Sequence, residues 1–162
     1  MDGGANRLLT TLNRMTGMPV VLSDVQIGYV ERAVADLRHG RLQGVIIRRG
    51  IGMARWCDQS AIALVGRECV LLRQRPGRLP DLKPQQPVQV FLSSGQWAGT
   101  VSDVVLRGDN LALQALEVST GPLQTLLGRR VYARAYRSVG HGRQVVVPRL
   151  LSWTQLEKED AQ

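Results

Sequence analysis

The sequence predicts an all-β protein made of two tandem copies of one small module, joined by a proline-rich linker. Three observations lead there. An internal repeat runs at an offset of about 70 residues. The apolar stock, 44% of 162 residues, is aliphatic and β-branched with only 4% aromatic residues, which favours strands over helices. And four of the seven prolines, at 76, 80, 84 and 87, fall together between the two copies.

The repeat sets the boundaries: a first module over 7–75, a linker over 76–86, a second module over 87–151 and a polar tail over 152–162. Laying Gly28 on Gly99 also pairs Ser23 with Ser94, Val30 with Val101, Val34 with Val105 and Leu42-Gln43 with Leu113-Gln114. Each copy opens on an apolar strand, 19–22 or 88–92, and turns at Ser23-Asp24 or Ser94-Gly95. In the second copy, 100–106 and 111–118 flank Arg107-Gly108-Asp109-Asn110, a hairpin signature. The first copy is ambiguous alone, because Ile27, Val30, Val34 and Leu37 also recur at helical spacing. A shared backbone decides for strand, making 38–41 the turn and 42–48 the returning strand. A Gly- and Arg-rich loose segment follows each hairpin, over 48–59 and 119–130. One turn of helix is expected at 60–65 and a closing apolar strand at 69–72 or 145–147. Gly28, Gly66, Gly99 and Gly140 are the repeat's structural turn glycines. The linker's prolines predict a semi-rigid spacer, and the tail is expected to fray or form one short helix.

The formal charge of +8 points to an anionic partner: nucleic acid, an acidic protein face or an anionic membrane surface. Lysine occurs only at 83 and 158, so the positive charge is almost wholly arginine, the better bidentate partner for phosphate and carboxylate. A coding bias towards arginine would give the same composition. The candidate binding residues are Arg48, Arg49, Arg55 and Trp56, extended by Arg73, Arg75 and Arg78 towards the linker, with Arg129 and Arg130 in the second copy. Arginine beside an aromatic ring suits stacking on bases or contact with an acidic patch. Ordinary solvated arginines, with Trp56 packed on its own module, are the competing account.

No catalytic constellation is legible. Gly50-Ile51-Gly52-Met53 is a fragment of a glycine-rich loop with no Lys-Ser or Lys-Thr after it, so a loop explains its glycines better than a phosphate site does. His39 and His141 sit beside glycines in expected turns, and the aspartates are scattered. Cys57 and Cys69 lack redox or metal-ligand spacing and read as buried free thiols, so neither a metal nor a cofactor is expected. No apolar run approaches bilayer length and the N-terminus lacks a signal pattern, so a soluble, cytoplasmic chain without integral membrane insertion is expected.

Gly17-Met18-Pro19-Val20, Ser23-Asp24 and Gly28-Tyr29-Val30, followed by the stretch from Ile62 through Gly66 to Leu71, resemble the PRC-barrel family. This small β-barrel occurs in the photosynthetic reaction-centre H subunit and in a ribosomal small-subunit maturation factor. The second copy keeps Ser94-Gly95, Gly99-Thr100-Val101 and Val139-Gly140, with Val88-Gln89-Val90 in place of the opening Gly-x-Pro-Val. The resemblance implies two tandem PRC-type β-barrels and a non-enzymatic docking or scaffolding role, with a protein partner, in a ribonucleoprotein or ribosome-maturation setting. It supplies no catalytic residue. Direct binding of RNA or a ribosomal particle through the arginine loops, and a peripheral place in a membrane electron-transfer complex, are the alternatives. Exposed strand edges leave a dimer open.

Overall fold

The computed structural model describes residues 8–121 and 127–162, and strand is its dominant element. Two compact units divide the chain. Unit 1 comprises the chain to Asp36, Gly40–Leu82 and Leu106–Leu113. Unit 2 comprises Leu37–His39, Lys83–Val105 and everything from Gln114 onward.

Unit 1 begins with β1 (Leu9–Thr11) and the one-turn helix α1 (Leu12–Met15), capped by the Thr11 hydroxyl accepting from Arg14 N–H at 3.2 Å. Its sheet contains β2 (Pro19–Leu22), β3 (Val25–Asp36), β4 (Arg41–Arg48), β5 (Arg55–Asp58), β6 (Ile62–Val65), β7 (Val70–Leu72) and β8 (Gly77–Arg78), in the spatial order β6-β7-β2-β3-β4-β5-β8. All neighbours are antiparallel except β2 and β7, which run parallel with Val20 opposite Val70.

Unit 2 holds β9 (Gln89–Leu92), most of β10 (Trp97–Arg107), β11 (Leu113–Ser119), β12 (Val131–Ala133), β13 (Arg137–Val139) and β14 (Gln144–Val147), in the order β12-β11-β10-β9-β14-β13. Strand for strand this is the order of unit 1 without β8. The parallel pair recurs as β9 with β14, Val90 opposite Val145. The expected repeat is therefore a repeat of topology.

Gly28 and Gly99 explain the strongest match. Each sits next to a one-residue bulge, opposite Val20 in β2 and Val90 in β9 respectively. A Cβ on Gly28 would lie 2.7 Å from the Arg48 carbonyl oxygen, and one on Gly99 would lie 2.4 Å from the Ser119 carbonyl oxygen. Arg48 and Ser119 are themselves 71 positions apart, so both hairpins close over a bare glycine at the same point.

Helical spacing in the first copy has a different cause. Opposite Val34 and Ala35 the extra residue is Gln43 of β4, but between Val30 and Arg32 it lies on β3 and slips that strand's in-out alternation by one residue. The inward residues Val30 and Ala33 are therefore three apart in a 12-residue strand. Ser23 and Asp24, with φ of 49° and 64°, form the two-residue loop that joins Leu22 to Val25 in register.

Unit 1's core gathers Met15, Val20, Val30, Leu42, Val45, Ile47, Val65 and Val70, together with Leu106 and Leu111 from its third segment. Leu42 N–H donates to Leu111 O at 2.9 Å and Val65 N–H to Gly108 O at 2.8 Å, so that segment is tied by backbone as well as by side chains. Unit 2's core is built on Val90, Val105, Leu116, Ala133, Val145 and Val147. The tail forms α2 (Trp153–Asp160), opened by a capping box at Ser152 and Gln155, with Leu156 buried and the Trp153 ring 5.2 Å edge-on from Tyr132.

Three local expectations change. The helical turn at 60–65 is a 3₁₀ turn at Gln59–Ala61, capped by Asp58, after which Ile62–Val65 is strand; Ile62 and Val65 take the buried positions of a short strand. The loose segment 48–59 contains β5, whose Cys57 faces the core. Within the stretch read as linker, Gly77–Arg78 pairs with β5.

Candidate functional site

Arg48 ends β4 and is fixed. Its Nε and NH2 donate to the two carboxylate oxygens of Glu31 at 3.0 Å each, while NH1 donates to Gly52 O at 3.0 Å. The hydrogen bonds and charge of Glu31 push its pKa upward. Gly52 N–H in turn donates to Arg49 O at 3.0 Å. Arg48 is thus a clamp that ties the β4–β5 loop to β3, with little of its fork left for a ligand.

The loop that it clamps carries Ile51, fully exposed, and Met53, 77% exposed. Tyr29, half-exposed on β3, stands opposite Arg48 in register. Arg49 leaves the end of β4 and Arg55 opens β5. Arg55 lies directly across from Arg78 of β8, on the same face of an antiparallel pair. Like charges so placed repel, and among the described residues no carboxylate pairs with Arg49, Arg55 or Arg78.

Trp56 points to the other face, where its ring covers Gly44; a Cβ there would meet the indole at 2.4 Å. One side of the indole is therefore occupied by its own sheet. Arg73 and Arg75 are exposed in the segment between β7 and β8, with Arg73 N–H donating to Ala61 O at 2.8 Å. Arg129 and Arg130 lie in unit 2 just before β12. Arg129 is exposed, and Arg130 pairs with Glu117 at 3.7 Å. Of the nine predicted residues, the fold gathers Arg48, Arg49, Arg55 and Arg78 around one edge of the first sheet.

Sequence reasoning missed Glu31, which neutralises Arg48, and the apolar tip at Ile51 and Met53. The second had a signal: two large apolar residues alternating with glycines inside an arginine-flanked segment have no strand or helix to bury them.

Other polar features are quieter. A cleft of about 290 Å³ in unit 1 is lined by Asp36, Arg41, Gln43, Asp58, Gln59 and Ser60. Its Ser60 hydroxyl donates to Asp58 Oδ2 at 2.9 Å, the same oxygen that caps the 3₁₀ turn. Burial, reinforced by Asp58, pushes the Cys57 thiol up to about 11, which disfavours the thiolate; Cys69 is half-buried. Gly66 N–H donates to Cys69 O at 2.9 Å in the β6–β7 turn, and Gly140, at φ 60°, opens the β13–β14 turn. Among the described residues no group of three or more His, Cys, Asp or Glu could hold a metal, and no helix is long and apolar enough to cross a membrane. Comparison with models of known protein families and with curated proteins finds no match.

Proposed function

We propose that this chain is a non-enzymatic binding and scaffolding protein, a tandem PRC-barrel-type protein whose first module docks a macromolecular partner that presents negative charge. The observation that carries the reading is the cross-strand pair of Arg55 and Arg78, two exposed like charges face to face with no carboxylate of the described chain between them. An arrangement that costs the free protein a little stability is relieved when an anion sits across both guanidinium groups. The family resemblance brings docking roles in ribosome maturation and in membrane-bound electron transfer, and the charge narrows the partner to an anionic one.

The second sheet strengthens the point by contrast. Register places Val131 opposite Val118 where unit 1 has Arg55 opposite Ile47, and Ser119 stands where unit 1 has Arg48. The cross-strand arginine pair is not a property of the repeat; among the described residues it belongs to unit 1.

Retention on a polyanion such as heparin tests the reading. Arg55→Glu with Arg78→Glu is expected to elute at markedly lower salt than Arg14→Glu with Arg67→Glu, which makes the same change of net charge at exposed positions elsewhere in unit 1. Equal shifts would mean that the charge acts only through its total, and the proposed surface would be abandoned.

A further inference from the structure

The apolar tip of the β4–β5 loop is the feature that an anionic partner alone does not explain. Ile51 at 106% and Met53 at 77% are the two most exposed large apolar side chains among the described residues. They are not carried on a loose segment: Arg48 holds Gly52 O and Glu31 together, and the Arg49–Gly52 backbone bond closes the turn beneath them. The apolar side chains are therefore presented by a braced loop, with Arg49 and Arg55 at its two feet and Arg78 across from Arg55. Tyr29, half-exposed, stands at its base.

Each partner class asks for something different from such a tip. Single-stranded nucleic acid stacks on rings, and Ile51 and Met53 have none, while the Trp56 ring already covers Gly44. An acidic protein face would satisfy the arginines but would need a pocket matched to two protruding side chains. A lipid surface needs no such match: its headgroup boundary accepts apolar side chains wherever they enter, and its phosphates meet the flanking arginines. Tyrosine also favours that boundary, with an apolar body and a wet hydroxyl.

We infer that the β4–β5 loop docks unit 1 on an anionic lipid bilayer, with Ile51 and Met53 inserted at the headgroup boundary and Arg49, Arg55 and Arg78 on lipid phosphates. This rests on the reading of an anionic partner and names its class. The attachment is peripheral and reversible, because two inserted side chains and three charges amount to a weak anchor.

Co-sedimentation of the full chain with vesicles tests it. Binding is expected to vesicles of phosphatidylcholine containing about 30% phosphatidylglycerol and to be at least about tenfold weaker to phosphatidylcholine alone, weakening as salt rises. Ile51→Ser with Met53→Ser, at positions too exposed to affect folding, is expected to lower binding to the anionic vesicles about tenfold, whereas Ile51→Leu with Met53→Leu preserves it. No binding to anionic vesicles, or binding indifferent to the serine pair, overturns the inference. Heparin retention separates the two failures. If vesicle binding is absent while retention still depends on Arg55 and Arg78, the anionic partner is not a lipid; if retention is indifferent as well, the underlying reading falls with it.

Discussion

Two sheets with one strand order differ in what has been built on them. At the backbone they agree closely: the same parallel pair of opening and closing strands, the same bulge beside a glycine, and the same carbonyl pressed against that glycine. At the surface they diverge. Unit 1 sets Arg48 on Glu31 beneath an apolar loop tip, whereas unit 2 gathers Ser102, Tyr132 and Arg130 around Glu117, and Trp153 of the terminal helix against Tyr132. A duplicated fold keeps what its hydrogen-bond ladder demands and is free to change whatever faces outward, so the differences point to function more directly than the matches do.

The core offers the severest way to break the comparison. Unit 1 is completed by Leu106–Leu113, with Leu106 at 0% and Leu111 at 4% exposure, whereas unit 2 takes only Leu37–His39 from the first repeat, held by the Tyr136 hydroxyl donating to Leu37 O at 2.7 Å. A fragment of residues 1–86 loses both leucines and the backbone bonds to Leu42 and Val65. Deleting a buried leucine side chain costs about 2–5 kcal/mol and a small domain has about 5–15 kcal/mol to lose, so this fragment is expected to be largely unfolded. Residues 83–162 are expected to retain more sheet. Amide dispersion in NMR spectra of the two fragments checks this, and a well-dispersed spectrum for 1–86 would show the modules to be independent. Leu106→Ala in the full chain is expected to cost about 3 kcal/mol.

What the sequence disclosed follows the same division. Gly28 and Gly99 were legible as partners because a backbone requirement tolerates one residue only. The strand at 25–36 was legible only through its copy, since its bulge at Glu31 had turned a period of two into a spacing that mimics a helix. The short strands β5 and β8 were hidden because neither alternates long enough to register, and β8 is two residues set among prolines. At the candidate site the arginines were plain, but which of them was free depended on Glu31, 17 residues from Arg48, and on a pairing between Arg55 and Arg78 that only the fold creates.

The glycine pair sharpens the comparison at a smaller cost. Gly28 faces a carbonyl at 2.7 Å with ordinary backbone angles, whereas Gly99 faces one at 2.4 Å and adopts φ 137°, which side chains resist. Gly28→Ala is expected to cost about 2 kcal/mol from the clash, and Gly99→Ala about 3–4 kcal/mol from clash and strain together. Urea midpoints measure both. Equal losses would mean that hairpin closure, not backbone conformation, sets the penalty.

The smallest effect expected concerns a position where the copies differ by one sulfur atom. Cys57 pairs with Val45 in β4 and β5 as Ala133 pairs with Leu116 in β11 and β12, and both are buried. At neutral pH Cys57→Ala makes unit 1 resemble unit 2 at a cost of about 1 kcal/mol. Alkali separates them. An unfolded thiol ionises near 8.5, whereas burial holds Cys57 to about 11, so over that interval the folded chain keeps a proton that the unfolded chain has released. Stability from this group is complete below about pH 8.5 and declines as pH rises towards the folded value, since the unfolded state gains by ionising first. Urea midpoints at about pH 8 and about pH 10.5 are therefore expected to fall further for the native chain than for Cys57→Ala, narrowing or reversing the neutral-pH difference. Parallel declines would show that the Cys57 site opens to solvent before the chain unfolds, and that the β4–β5 side of unit 1 is looser than its counterpart.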